Sequence, residues 1–121
     1  MWQHCRGTLS IGFDWQQLRQ LAGVDADFEV ELLKMFLTDA QESLRQLERA
    51  IAAKDIQTIE DAAHSLRGAS ANVGASALAN TAFQLEQTAR SGKITDTRKL
   101  LQQLSAHCQR IQAQVQQSYS A

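Results

Sequence analysis

The chain predicts an all-α fold: an antiparallel up-down-up-down four-helix bundle with a short additional N-terminal helix. Three observations carry this expectation. There is no proline in 121 residues, and Gln, Ala and Leu dominate, a composition that favours helix over strand. Four stretches repeat apolar residues at three- and four-residue steps. Glycine or turn chemistry interrupts each stretch after a helical length, so the connections are short and neighbouring helices run antiparallel.

Residues 1–12 show no clear periodicity and read as a lead: a flexible arm, an expression remnant, or a strap on the bundle. The bundle itself spans 13–118. A short helix is expected over 14–22, ended by Gly23 and capping one end of the bundle. Asp25 is a candidate N-cap for the longest helix, over 26–53. Its expected core seam is Phe28, Leu32, Phe36, Ala40, Leu44, Leu47 and Ile51. Lys54-Asp55 makes a turn, with Asp55 capping a helix over 56–73. That helix turns Ile59, Ala62, Ala63, Leu66, Ala69, Ser70 and Val73 inward. Gly74 ends it, and Ser76 is expected to cap a helix over 77–91 with Leu78, Ala82, Leu85 and Ala89 inside. Gly92-Lys93-Ile94-Thr95 forms the last turn, and a helix over 96–118 carries Leu100, Leu101, Leu104, Cys108, Ile111 and Val115.

The bulk numbers exclude several classes of function. A hydrophobic fraction of 44% suits one globular core. Net charge is −1 with Lys and Arg scattered, which gives no electrostatic footprint for nucleic acid or an anionic membrane. No apolar run approaches the ~20 residues of a membrane span, and residues 1–13 lack a signal peptide's apolar block. Two cysteines, Cys5 and Cys108, are too few for a disulfide framework, so a cytoplasmic protein is expected. His4-Cys5 and His107-Cys108 offer zinc-type ligands. Adjacent His-Cys pairs aim poorly at one metal, however, and Cys108 lies on a core stripe, so no metal is expected.

The informative face is the one opposite the core stripe of the 56–73 helix. His64 points to water there, at about 100° of rotation per residue. Gly68 follows one turn later on the same face, where it costs about 1 kcal/mol of helix stability relative to alanine and packs nothing. Glu60 and Asp61 lie one turn before His64 and read as a solvated acidic pair near the helix start, with Glu60 also a candidate for the partner-docking face. Arg67, Gly68 and Ala71 lie on the turns after it. A neutral imidazole, with an ordinary pKa of about 6.5, offers an unprotonated nitrogen as a nucleophile at pH 7. Phosphorylated, it would carry a high-energy P–N bond. Arg67 could then donate charge-assisted hydrogen bonds, and Gly68 and Ala71 would lower the relief for a docking partner.

His64-x-Leu66-Arg67-Gly68, then Gly74, Leu78 and Leu85-Glu86, resembles the signature of histidine-containing phosphotransfer (HPt) domains of bacterial phosphorelays. Phe13-Asp14, the helix from Phe28 to Ile51, and the turn at Asp55 before Ala63-His64 extend the resemblance over about residues 13–115. The resemblance implies that His64 is the phosphoacceptor and that Gly68 admits the receiver domain. Arg67 matches a position usually held by lysine, which keeps the charge but changes the geometry. Glu86 matches a glutamate or glutamine near the histidine, where a carboxylate could hold one ring N–H; on spacing alone it is equally a surface partner of Arg90. Arg90, one turn beyond, is a further candidate for positive charge near the phosphate.

The expected function is therefore phosphoryl carriage: His64 accepts from a receiver-domain aspartate and passes the group to another receiver. The resemblance implies no catalytic machinery and no cofactor of the chain's own; the receiver supplies the aspartate and Mg²⁺. No P-loop or kinase signature is present. The expected form is a monomer, either free-standing or a domain of a hybrid sensor histidine kinase. Two rivals predict different behaviour. A helical interaction module would tolerate loss of His64, and a chemotaxis-type phosphoacceptor domain would take its phosphoryl group from an ATP-binding kinase domain.

Overall fold

The computed structural model describes residues 16, 17, 20 and 26–119. Four helices follow one another: α1 (Ala26–Ala52), α2 (Ile56–Asn72), α3 (Ser76–Arg90) and α4 (Ile94–Tyr119). Among the described residues there is no strand, and no helix is long and apolar enough to cross a membrane. α1 packs on α2 and α4, and α3 packs on α2 and α4, which closes the ring of the four-helix bundle. The α2–α3 pair makes the most extensive contact, and it carries the candidate site.

The same device makes all three turns. Lys54, Gly74 and Gly92 each adopt a positive φ, of 57°, 84° and 81°. At each one the following N–H reaches back five residues and its own N–H reaches back three, the Schellman pattern that satisfies the last helical carbonyls. The expected glycine stops at 74 and 92 hold. Asp25 and Gly23 lie outside the described residues. Of the short helix over 14–22, Gln16, Gln17 and Gln20 are helical and the rest lies outside the described residues. The Gln17 side-chain amide donates to the Ala71 and Asn72 carbonyls at 2.5 and 3.2 Å, covering the C-terminal end of α2.

Asp55 caps α2 as expected. Its carboxylate accepts from the Thr58 N–H at 3.2 Å and from the Thr58 hydroxyl at 2.7 Å. Those bonds, the hydroxyl first, hold the Asp55 pKa below its ordinary 3.8. A depressed carboxylate pKa adds stability above the unfolded value and loses it as pH falls through the lower folded value. Thermal unfolding followed from pH 5 to pH 2 should therefore show a steeper acid loss in the native protein than in Asp55→Asn, which can still cap but has no carboxylate to titrate. Equal slopes would remove Asp55 from the acid response.

The cap expected at Ser76 is not there. α3 begins at Ser76, its N-cap is Ala75 with no side-chain cap bond, and the Ser76 hydroxyl turns back to the Gly74 carbonyl at 3.4 Å. Tight closure of the Gly74 turn brings the helix in one residue early.

The α1 seam also differs from expectation. Phe36, Ala40, Leu47 and Ile51 are buried as expected, but Phe28 is 47% exposed, Leu32 and Leu44 are only partly buried, and Leu33, Leu37 and Ala50 join the core instead. Successive steps of four residues rotate a stripe by about 40° each, so a seam read in fours drifts off the core. Alternating threes and fours keep it facing inward. Ala69, expected inside α2, is exposed, because it sits about 80° from the stripe's centre at an uncovered edge. The remaining α2 stripe is buried as expected: Ile59, Ala62, Ala63, Leu66, Ser70 and Val73. In α4, Leu104, Cys108, Ile111 and Val115 are buried, with Leu100 and Leu101 packed at the rim.

Candidate functional site

α2 and α3 run antiparallel, so residues at matched steps meet face to face. On α2 the steps are Glu60, His64, Arg67; on α3 they are Phe83, Glu86, Arg90. The result is a three-rung ladder beside the core. Arg90 Nε lies 3.7 Å from Glu60 Oε1, His64 Nδ1 lies 3.1 Å from Glu86 Oε2, and the Arg67 guanidinium carbon lies 5.3 Å from the Phe83 ring centroid. Two further contacts brace it: a diagonal from Arg67 Nε to Glu86 Oε1 at 3.2 Å, and a strut along α3 from Arg90 Nη2 to Glu86 Oε2 at 3.3 Å. His64, Arg67, Glu86, Arg90 and Glu60, all expected at the site, are brought together here.

Glu86 is the centre of this arrangement. Its side chain is 7% exposed, against 65% for His64. A buried carboxylate is costly unless paired, and two guanidiniums pair this one. The Arg67 contact has ion-pair distance but no hydrogen-bond alignment, for Arg67 Nε and Glu86 Oε1 are both left without a hydrogen-bond partner. The two sequence-level options for Glu86, ring support and surface partner of Arg90, are both realised by one buried carboxylate. Arg90 therefore serves Glu86 and Glu60 first. Glu60, expected at the docking surface, is turned toward Arg90 with its side chain 20% exposed. Asp61 accepts from the Gln57 amide at 3.0 Å.

The proton on His64 follows from its neighbours. Nδ1 lies 3.1 Å from Glu86 Oε2 and 3.0 Å from Arg67 Nη2. A carboxylate only accepts and a guanidinium only donates, so one ring nitrogen cannot serve both. Both bonds would be charge-assisted. The 7%-exposed Glu86 carboxylate depends on protein donors, whereas the 37%-exposed Arg67 can donate to water, and on that ground the hydrogen is assigned to Nδ1. Nε2 then keeps its lone pair, on a side chain that is 65% exposed. Arg67 Nη2 keeps unspent donors beside the imidazole.

Gly68 and Ala71 are exposed on the turns after His64, as expected. A Cβ added at Gly68 would meet nothing within 4 Å, so no internal packing requires glycine there. Phe83 was not singled out from the sequence. Its signal was there: it lies off the Leu78, Ala82, Leu85, Ala89 stripe and three residues before Glu86, and it is left 45% exposed.

Among the described residues no group of three or more His, Cys, Asp or Glu side chains is placed to hold a metal ion. His4-Cys5 lies outside them. His107 is half-buried, and burial followed by the charge of Arg110 lowers its pKa from 6.5. Burial also pushes the Cys108 thiol up from 9.0 to about 11. On a Cys5→Ser background, Cys108 should therefore alkylate at least a hundred-fold more slowly at pH 7 than in the denatured chain, since two units in pKa are about a hundred-fold in thiolate. Comparable rates would show that the α4 core is open to reagent.

Comparison with known proteins bears on the whole bundle. The family model for the Hpt domain matches residues 31–114. The crystal structure of histidine-containing phosphotransfer protein B (HptB) from Pseudomonas aeruginosa PAO1 superposes with a TM-score of 0.82 at 33% identity, covering 88% of this chain and 93% of that one. No sequence among curated proteins matches the chain. A match of this extent, both to the family's sequence pattern and to a solved member's bundle, shows that the chain belongs to the Hpt domain family, the histidine phosphotransfer domains of phosphorelays.

Proposed function

We propose that His64 accepts a phosphoryl group from a receiver-domain phospho-aspartate and relays it to the aspartate of another receiver. The observation that carries this reading is the Nδ1–Glu86 contact at 3.1 Å, which leaves Nε2 as the nucleophile on an exposed ring. The Nε2 lone pair forms the P–N bond as the aspartyl P–O bond breaks, and the aspartate carboxylate leaves. The positive charge gained by the imidazole is offset by Glu86, which holds Nδ1–H throughout. Arg67 Nη2 meets the incoming phosphoryl charge. Return transfer reverses each bond change, with P–N breaking and P–O forming.

This chain contributes a nucleophile, a proton anchor, a cation and a docking face, and no catalytic machinery. Mg²⁺ belongs to the receiver in this reading. A single copy suffices for the chemistry, because every group in the ladder comes from one chain.

The test is single-turnover transfer from a panel of phosphorylated receivers to the chain. Label that is lost in acid and stable in alkali is the expected result, and the fastest donor indicates the partner. Acid-stable label would place the phosphoryl group on another residue type. No label from any receiver, with label from an ATP-loaded kinase domain, would replace the relay reading by direct kinase phosphorylation.

A further inference from the structure

Phe83 stands apart from the rest of α3. It is off the core stripe and 45% exposed, and its ring underlies the Arg67 guanidinium at 5.3 Å. That separation is within the range of a cation–π contact. A planar guanidinium stacks on an aromatic face with a defined orientation, which a lysine ammonium does not. Arg67 is a long side chain, 37% exposed, whose alternative is to swing into water. Stacked, it turns Nε toward Glu86 Oε1 at 3.2 Å, which leaves Oε2 for His64 Nδ1 at 3.1 Å. The ring thus sits at the head of a line of contacts: Phe83 to Arg67, Arg67 to Glu86, Glu86 to His64.

We infer that Phe83 is a positioning residue for phosphoryl transfer at His64, stacking Arg67 so that cation and carboxylate are already arranged when the phosphoryl charge arrives. The inference rests on the reading of His64 as the phosphoacceptor. Arginine at position 67 and an aromatic ring at 83 then form one unit. Lysine, which keeps only the charge, does not replace the arginine here.

The test uses the full chain with Phe83→Leu and Phe83→Tyr. Phe83→Leu slows transfer at saturating receiver about two- to five-fold, the size of an exposed cation–π contact, with the half-saturating receiver concentration unchanged. Phe83→Tyr restores the rate. On an Arg67→Ala background Phe83→Leu has no further effect. A full additional loss there, or a change confined to half-saturation, would overturn the inference by making Phe83 a contact of the partner. The Arg67 Nε–H resonance supplies a readout free of phosphoryl chemistry. It is sharp in the native chain and in Phe83→Tyr, and broadened in Phe83→Leu; an unchanged signal would show that the ring does not hold Arg67. A native chain that takes label from no receiver would sink the relay reading and the positioning role together, while this resonance would still report whether the stacking exists.

Discussion

His64→Gln should lose phosphoryl acceptance by about a thousand-fold or more, because the variant has no nucleophilic nitrogen at that position. The fold should remain. The His64 side chain is 65% exposed, so no core contact is removed, and glutamine is a good helix former. Its amide can still donate to Glu86, which spares the buried carboxylate one lost partner. Stability should stay within about 0.5 kcal/mol of native, as for surface changes that leave no buried group unpaired. The paired readouts are the thermal midpoint and the acid-labile label. A native midpoint with no label identifies His64 as the relay histidine. Equal label on both proteins would move the site elsewhere. A helical interaction module without phosphotransfer would keep its partner binding in His64→Gln and carry no label in either form.

Much of the fold was legible because single-helix periodicity and turn chemistry are local. Glycine at positions 74 and 92 marks residues where a left-handed backbone ends a helix, and both adopt it. Lys54 does the same work against its steric preference, and nothing in its side chain announces that. The α1 seam was legible at Phe36, Ala40, Leu47 and Ile51 but drifted at Phe28, Leu32 and Leu44, because steps of four accumulate rotation, and only packing against α2 and α4 selects Leu33 and Leu37 over Phe28. At the site, His64, Arg67 and Gly68 could be read from one helix, since their exposure depends on angle from its own core stripe. Glu86, Arg90 and Phe83 could not be ranked in that way. Their roles depend on the register between α2 and α3, a relation between two helices that neither helix's periodicity contains. Glu86 illustrates the gap, for a glutamate on an amphipathic helix is ordinarily solvated, and here the facing rungs turn it into a buried hub.

Gly68→Gln should change stability and transfer in opposite directions. The glycine costs α2 about 1 kcal/mol relative to a good helix former, and an added Cβ meets no neighbour within 4 Å. The variant should therefore melt a few degrees higher, in keeping with about 1 kcal/mol in a domain of this size. Transfer should fall by about ten- to a hundred-fold, since the receiver must bring its phosphoryl group in line with Nε2 and a displacement of about 1 Å can cost a hundred-fold. A third measurement isolates the cause. A small phosphoramidate donor needs no docking face, so it should label native protein and Gly68→Gln at the same rate. If both donors slow equally, the substitution has disturbed His64 itself and Gly68 is not a clearance for the partner. If transfer from the receiver is unchanged, the helix gives up that stability for nothing the relay requires. The expected combination, a more stable helix with an intact histidine and a slower relay, would mean that α2 is kept below its attainable stability by the partner's need for space.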